Sequence, residues 1–134
     1  MRVYLDTSAA AKLLIEESES SALAQWADKP DVTLVATHLL ETELRRIALR
    51  AELPQADVSA ILARVELYDL SPSLFREAGL LPGKALRSLD ALHLAAAIRL
   101  DVDAVATYDD QLAKAVINVG LRVFAPDDSD LLII

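Results

Sequence analysis

The chain has 134 residues, 54% hydrophobic and 25% charged, which predicts one packed domain over residues 1–134 and argues against disorder. It has no cysteine, so disulfides and thiolate metal sites are excluded, and no apolar run approaches the roughly 20 residues of a membrane helix. The net charge of −8 works against general nucleic-acid binding, because phosphate contacts need Lys and Arg.

That charge is unevenly spread. Residues 1–40 carry about −3, residues 41–99 about 0 and residues 101–134 about −5, so most of the bases stand in the middle third. Aromatic residues are only 4%, which gives little material for stacking bases. The opening Met1-Arg2-Val3-Tyr4-Leu5-Asp6 is too short and too soon acidic for a signal peptide, so a cytoplasmic location is the default expectation.

In chain order, residues 3–5 read as a buried strand, and Ser8 suits the N-cap of a helix over 9–16. A second helix is predicted over 20–27. Residues 32–36 read as a strand after a Lys-Pro-Asp turn. Thr37 can cap a long helix over 38–51, whose apolar stripe is Leu40, Leu44, Ile47, Ala48 and Ala51. Pro54 opens a helix to about 65, a strand follows over 66–70, and Ser71-Pro72 starts the next helix. After the break at Leu81-Pro82-Gly83, Ser88 caps a helix over 89–100 so rich in Ala, Leu and Ile that a central, buried position is expected. Residues 104–107 form a strand, 109–119 a helix and 121–124 a last strand. Strands alternating with helices predict an α/β fold, a three-layer α/β/α sandwich around a mostly parallel sheet. Residues 127–134 start acidic and end in Leu-Leu-Ile-Ile, with no assigned role.

Four acids, far apart in sequence, stand in telling places. Asp6 ends the first strand, where open α/β sheets collect function. Glu43 borders the apolar stripe of its helix, one turn from Leu40 and Ile47. Asp90 lies in the first turn of the most apolar helix, and Asp109 follows the strand ending at Thr107. Each has a plainer alternative: helix capping for Asp6 and Asp109, dipole stabilisation for Asp90, and an ion pair with Arg46, Arg50 or another helix for Glu43. Together, four carboxylates in one cleft need raised pKa values, a basic partner or metal cations. Hard divalent cations with oxygen ligands point to phosphate chemistry. Asp110 reads as a solvated acid and His93 as a satisfied core histidine. With three glycines there is no phosphate-binding loop.

The segments Val3-Tyr4-Leu5-Asp6-Thr7-Ser8, Glu43-Leu44-Arg45-Arg46, Leu89-Asp90-Ala91-Leu92-His93-Leu94-Ala95-Ala96-Ala97 and Ala106-Thr107-Tyr108-Asp109, in this order and at these separations, resemble the PIN-domain family, most closely its VapC-type toxin ribonucleases. The resemblance implies that Asp6, Glu43, Asp90 and Asp109 form a Mg²⁺ or Mn²⁺ site assisted by the hydroxyl of Thr107. It implies an endoribonuclease toxin that cleaves RNA phosphodiesters with a metal-activated water, forms a homodimer and pairs with a small antitoxin. Arg45, Arg46 and Arg87 are the bases best placed to hold RNA, with pairing to Glu41, Glu43 or Asp90 as their structural alternative. Two other readings compete: another α/β metal-dependent phosphohydrolase, and a non-catalytic module that holds a partner in an acidic cleft. PIN domains also act in RNA processing.

Overall fold

The computed structural model describes residues 1–127. Five parallel strands form one sheet: β1 (Arg2–Leu5), β2 (Thr33–Thr37), β3 (Glu66–Tyr68), β4 (Ala104–Ala106) and β5 (Arg122–Phe124), in the order β3-β2-β1-β4-β5. Between them run α1 (Thr7–Leu14), α2 (Ser20–Ala27), α3 (Leu39–Arg50), α4 (Gln55–Leu62), α5 (Pro72–Gly79), α6 (Ser88–Arg99) and α7 (Asp110–Asn118). Of the C-terminal segment 127–134 noted above, only Asp127 falls within the described residues.

The strand order carries the functional consequence. The chain builds outward from β1 to β2 to β3, then returns across the sheet to β4 and β5. With right-handed crossovers, that reversal places α1–α4 on one face and α5–α7 on the other. The helix contacts follow the division: α1 packs on α2, α3 and α4, while α6 packs on α5 and α7. This is the expected three-layer α/β/α sandwich. Its topological switch point lies between β1 and β4, where a crevice opens beyond the strand ends.

Burial explains why the strands lack polar alternation. Val3, Tyr4 and Leu5 in β1, and Ala104, Val105 and Ala106 in β4, are covered on both faces, as parallel strands between helical layers must be. Tyr4 sits opposite Val35 of β2 and Val105 of β4. In α3, Leu40, Leu44 and Ala48 form the buried stripe, while Ala51 falls beyond the helix end and is exposed. In α6, Ala91, His93, Leu94, Ala95, Ala96 and Ala97 are buried, and the small alanines let the helix lie close to the sheet. The helices α3 and α6 stop through left-handed residues, Glu52 and Asp101, after which Leu53 and Val102 donate back to the carbonyls of Ala48 and Ala97.

Helix starts differ from expectation by a residue or two. The N-cap of α1 is Asp6, not Ser8, because its carboxylate reaches back to the Ser8 amide at 3.3 Å. Thr37 belongs to β2, and its hydroxyl accepts from the Leu39 amide from there. Among the described residues, no helix is long and apolar enough to cross a membrane.

Candidate active site

Asp6 leaves the C-terminal end of β1 and Thr107 the end of neighbouring β4, so the two meet at the switch point. Asp6 is 3% exposed and Thr107 is 1% exposed. The Thr107 hydroxyl donates to Asp6 Oδ2 at 2.9 Å, and the Ser8 hydroxyl donates to the same oxygen at 2.7 Å. Thr107 Oγ1 in turn accepts from the Asp109 amide at 3.1 Å, and Ser8 Oγ from the Tyr108 amide at 2.9 Å. The loop after β4 is thereby fastened to the loop after β1 through two hydroxyls. Both ends of the crevice are fixed without any basic side chain.

Glu43 enters from α3. Its Oε1 accepts from the Thr7 hydroxyl at 2.9 Å and lies 2.6 Å from His93 Nε2 on α6. Burial pushes the Glu43 carboxyl upward, but the hydrogen bond and charge of His93, with Thr7, bring it below its ordinary range. Asp109 caps α7, its Oδ1 accepting from the Leu112 amide at 2.8 Å. The capping alternative for Asp109 therefore describes one of its oxygens.

Asp90, in the first turn of α6, is where the crowding registers. Burial and the negative charges of Asp109, Asp6 and Glu43, only partly offset by His93, push its carboxyl up to about 6. The structure thus brings Asp6, Glu43, Asp90, Asp109 and Thr107 into one electrostatic neighbourhood. Among the described residues, none of the four acids pairs with a lysine or arginine; the one basic partner is His93.

This donor set suits a hard divalent cation. Asp6, Glu43 and Asp109 each have one carboxylate oxygen engaged by local donors, and the other takes no hydrogen bond among the described residues. The four charges lack compensation that a cation would supply. However, among the described residues no group of three or more Asp, Glu or His side chains is drawn together tightly enough to hold an ion unaided. The four acids stand near one another without closing on a single point. Hard divalent cations take such oxygen ligands and keep several of their own waters.

The candidate RNA-binding bases separate. Arg45 is spent on structure: its guanidinium donates to Glu41 at 2.9 Å, Gln55 at 3.1 Å and Ser59 at 3.3 Å, pinning α3 to α4. Arg46 and Arg87 are exposed, and neither side chain makes a hydrogen bond or ion pair among the described residues. Arg45→Ala is therefore expected to cost roughly 1 kcal/mol of stability. It should leave the salt dependence of RNA binding unchanged. Arg46→Ala or Arg87→Ala should flatten that dependence by up to about one unit of log–log slope without shifting the melting temperature. Fluorescence anisotropy with a short RNA at several salt concentrations separates the two outcomes.

Sequence reasoning missed Thr7, Ser8 and His93 as parts of the site. The two hydroxyls directly after Asp6 were the available signal, since they stand within reach of any group at the strand end. His93 is indeed a satisfied core histidine, but what satisfies it is a site carboxylate.

The PIN-domain family model matches residues 3–117, and the chain belongs to the PIN-domain family. It is similar to Ribonuclease VapC35 of Mycobacterium tuberculosis, 39% identical over 131 residues that cover 92% of this chain and 96% of the relative. Among solved structures it resembles Mycobacterium tuberculosis VapC20, described as a Sarcin-Ricin loop cleaving toxin, with a TM-score of 0.71, 19% identity and coverage of 84% of this chain and 94% of that one. It also resembles VapBC2 from Rickettsia felis bound to a DNA fragment from its promoter, with a TM-score of 0.68, 17% identity and coverage of 95% and 100%.

Proposed function

We propose that this chain is a divalent-metal-dependent endoribonuclease, the toxin of a toxin–antitoxin pair, acting in the cytoplasm on RNA phosphodiesters. The observation that carries the reading is the acidic cluster at the β1–β4 switch point, four carboxylates with no compensating lysine or arginine among the described residues. The ribonuclease names of relatives over nearly the whole chain favour it above another phosphohydrolase.

Asp6, Glu43, Asp90 and Asp109 would hold the cation, Mg²⁺ or Mn²⁺. When bound, it supplies Lewis acidity and neutralises charge that builds on the scissile phosphate. The chain's own residues do the rest. Thr107 and Ser8 hold Asp6 in one orientation, and Thr7 with His93 holds Glu43. Asp90, whose carboxyl is pushed up to about 6 by burial and its acidic neighbours, is the acid whose charge a bound cation would relieve most. Arg46 and Arg87 offer phosphate contacts at the rim.

The test is cleavage of a labelled RNA with Mg²⁺, with Mn²⁺ and with chelator, comparing the wild type with Asp6→Asn. Cleavage that is metal-dependent and lost in the variant is expected. A folded wild-type protein that cuts no RNA under any metal would favour the non-catalytic binding module.

An antitoxin partner belongs to the same reading, supported by fold likeness to the VapBC2 structure above, and so does a homodimer. An antitoxin that reaches an Arg or Lys toward the carboxylates would compete with the cation for them. Inhibition at fixed antitoxin should then be relieved in part across a Mg²⁺ titration. Inhibition indifferent to metal would mean that the partner blocks RNA by bulk or at a distance.

A further inference from the structure

The crevice is held by a polar chain that runs through the middle of the core. Tyr4, at the centre of β1, is fully buried, yet it carries a hydroxyl where phenylalanine would fill nearly the same space without one. That hydroxyl lies 2.7 Å from His93 Nδ1 and 3.4 Å from Thr37 Oγ1, and the Tyr4 and His93 rings meet edge to face at 5.6 Å. His93 is 1% exposed, and its other nitrogen meets Glu43 Oε1 at 2.6 Å. A carboxylate only accepts, so Nε2 carries the proton and donates to Glu43. No buried side-chain polar atom among the described residues is left without a partner, so the chain from Thr37 through Tyr4 and His93 to Glu43 is complete.

Burying such a network is costly compared with apolar packing of the same volume. What it provides is rigidity at one atom. Donors from α1 and α6 converge on a single oxygen of a side chain on α3, and β1 locks the ring that supplies one of them. A glutamate with three rotatable bonds is left with one orientation. Its Oε2 has no donor among the described residues.

We propose that His93, locked by Tyr4, is a positioning residue for Glu43: together with Thr7 it pins Oε1 and so presents Oε2 as one fixed ligand oxygen to the divalent cation. This rests on the metal-site reading above. Outer partners of metal ligands typically govern affinity by about 10–100-fold, and His93→Leu should weaken Mn²⁺ binding on that scale. Tyr4→Phe, which frees the ring, should give a smaller loss. His93→Gln, whose amide can donate from nearly the same place, should recover part of the affinity.

The experiment is Mn²⁺ titration calorimetry on the purified full chain, with melting temperature measured on every variant. Leu94→Ala, the neighbouring core residue on the same helix, controls for stability: it should melt lower and bind Mn²⁺ as the wild type does. In a Glu43→Ala background, His93→Leu should cost no further affinity, because the atom it positions is gone. Equal Mn²⁺ affinity in the wild type and His93→Leu would overturn the positioning role while leaving the metal site standing. So would losses from His93→Leu and Glu43→Ala that simply add. A wild-type chain that binds no Mn²⁺ would overturn the metal reading and this inference together.

Discussion

Asp6→Asn is expected to lower Mg²⁺-supported RNA cleavage by about two to three orders of magnitude, the scale of removing one preorganised electrostatic group, while the protein stays folded. Asparagine keeps a carbonyl oxygen that can accept from Ser8 and Thr107, as Asp6 Oδ2 does at 2.7 and 2.9 Å. It also keeps a good N-cap for α1. What it loses is charge at the switch point. Glu43→Gln, Asp90→Asn and Asp109→Asn should fall on a similar scale, and asparagine at 109 preserves the cap on α7. Asp110, exposed in the first turn of that helix, is the internal control. Asp110→Ala should be mild. Single-turnover cleavage of a labelled RNA, with circular dichroism on each variant, makes the comparison. If Asp110 mattered as much as Asp109, the assignment of the acid after β4 would be wrong.

The second large effect is on stability. Without metal, the protein should melt several degrees higher near pH 5 than near pH 8. Asp90 has a carboxyl pushed up to about 6 from an ordinary 3.8, so folding takes up a proton between those values, and ionisation above about 6 destabilises the folded state. Burial acts to lower the pKa of His93, but its bond to Glu43 and the charges of Asp6, Glu43 and Asp90 outweigh that and raise it above 6.5. Its contribution is fully present below 6.5 and is lost as pH rises through the folded value. Both groups therefore favour the acid side. Glu43, held below 4.5, works oppositely: its contribution is lost as pH falls through its folded value, so stability should also decline in stronger acid.

At pH 7.5, Asp90→Asn should melt higher than the wild type without metal, and Mn²⁺ should raise the wild type more than the variant. Relief by Asp6→Asn should be smaller, because Asp6 already receives two hydroxyl donors and caps a helix. Differential scanning fluorimetry between pH 4 and pH 8.5 tests the whole pattern. A melting temperature flat from pH 5 to pH 8 would contradict it.

What could be read in advance was whatever local chemistry encodes. A short apolar run that ends in Asp-Thr-Ser marks a strand tip wherever it folds. The spacing of Leu40, Leu44 and Ala48 marks one helical face. Asp109 could be seen both as a cap and as a candidate site acid, and the cap engages only one of its oxygens. The pairings across distance could not be read. Nothing near Glu43 announces His93, which lies 50 residues on, and nothing near Tyr4 announces either. Arg45 looked available beside Glu43, but Gln55 and Ser59 claim it only because α4 folds back along α3. Helix starts slipped for a related reason: a carboxylate reaches farther than a hydroxyl, so Asp6 takes the cap that Ser8 seemed to own.

The crevice lies on a seam between the earliest and nearly the latest parts of the chain to be made. β1 finds β2 within the first 37 residues, but its other neighbour, β4, begins only at Ala104. A chain emerging from the ribosome as far as the end of α6 already has Asp6, Glu43 and Asp90. It lacks Thr107 and Asp109, and one edge of its central strand is bare. Domains form as their parts arrive, at about 5–20 residues per second during synthesis. Until β4 slides in beside β1, nothing holds Asp6 from the Thr107 side. A fragment truncated before β4 lacks Thr107 and Asp109, two of the five candidate site residues, and is expected to cleave no RNA.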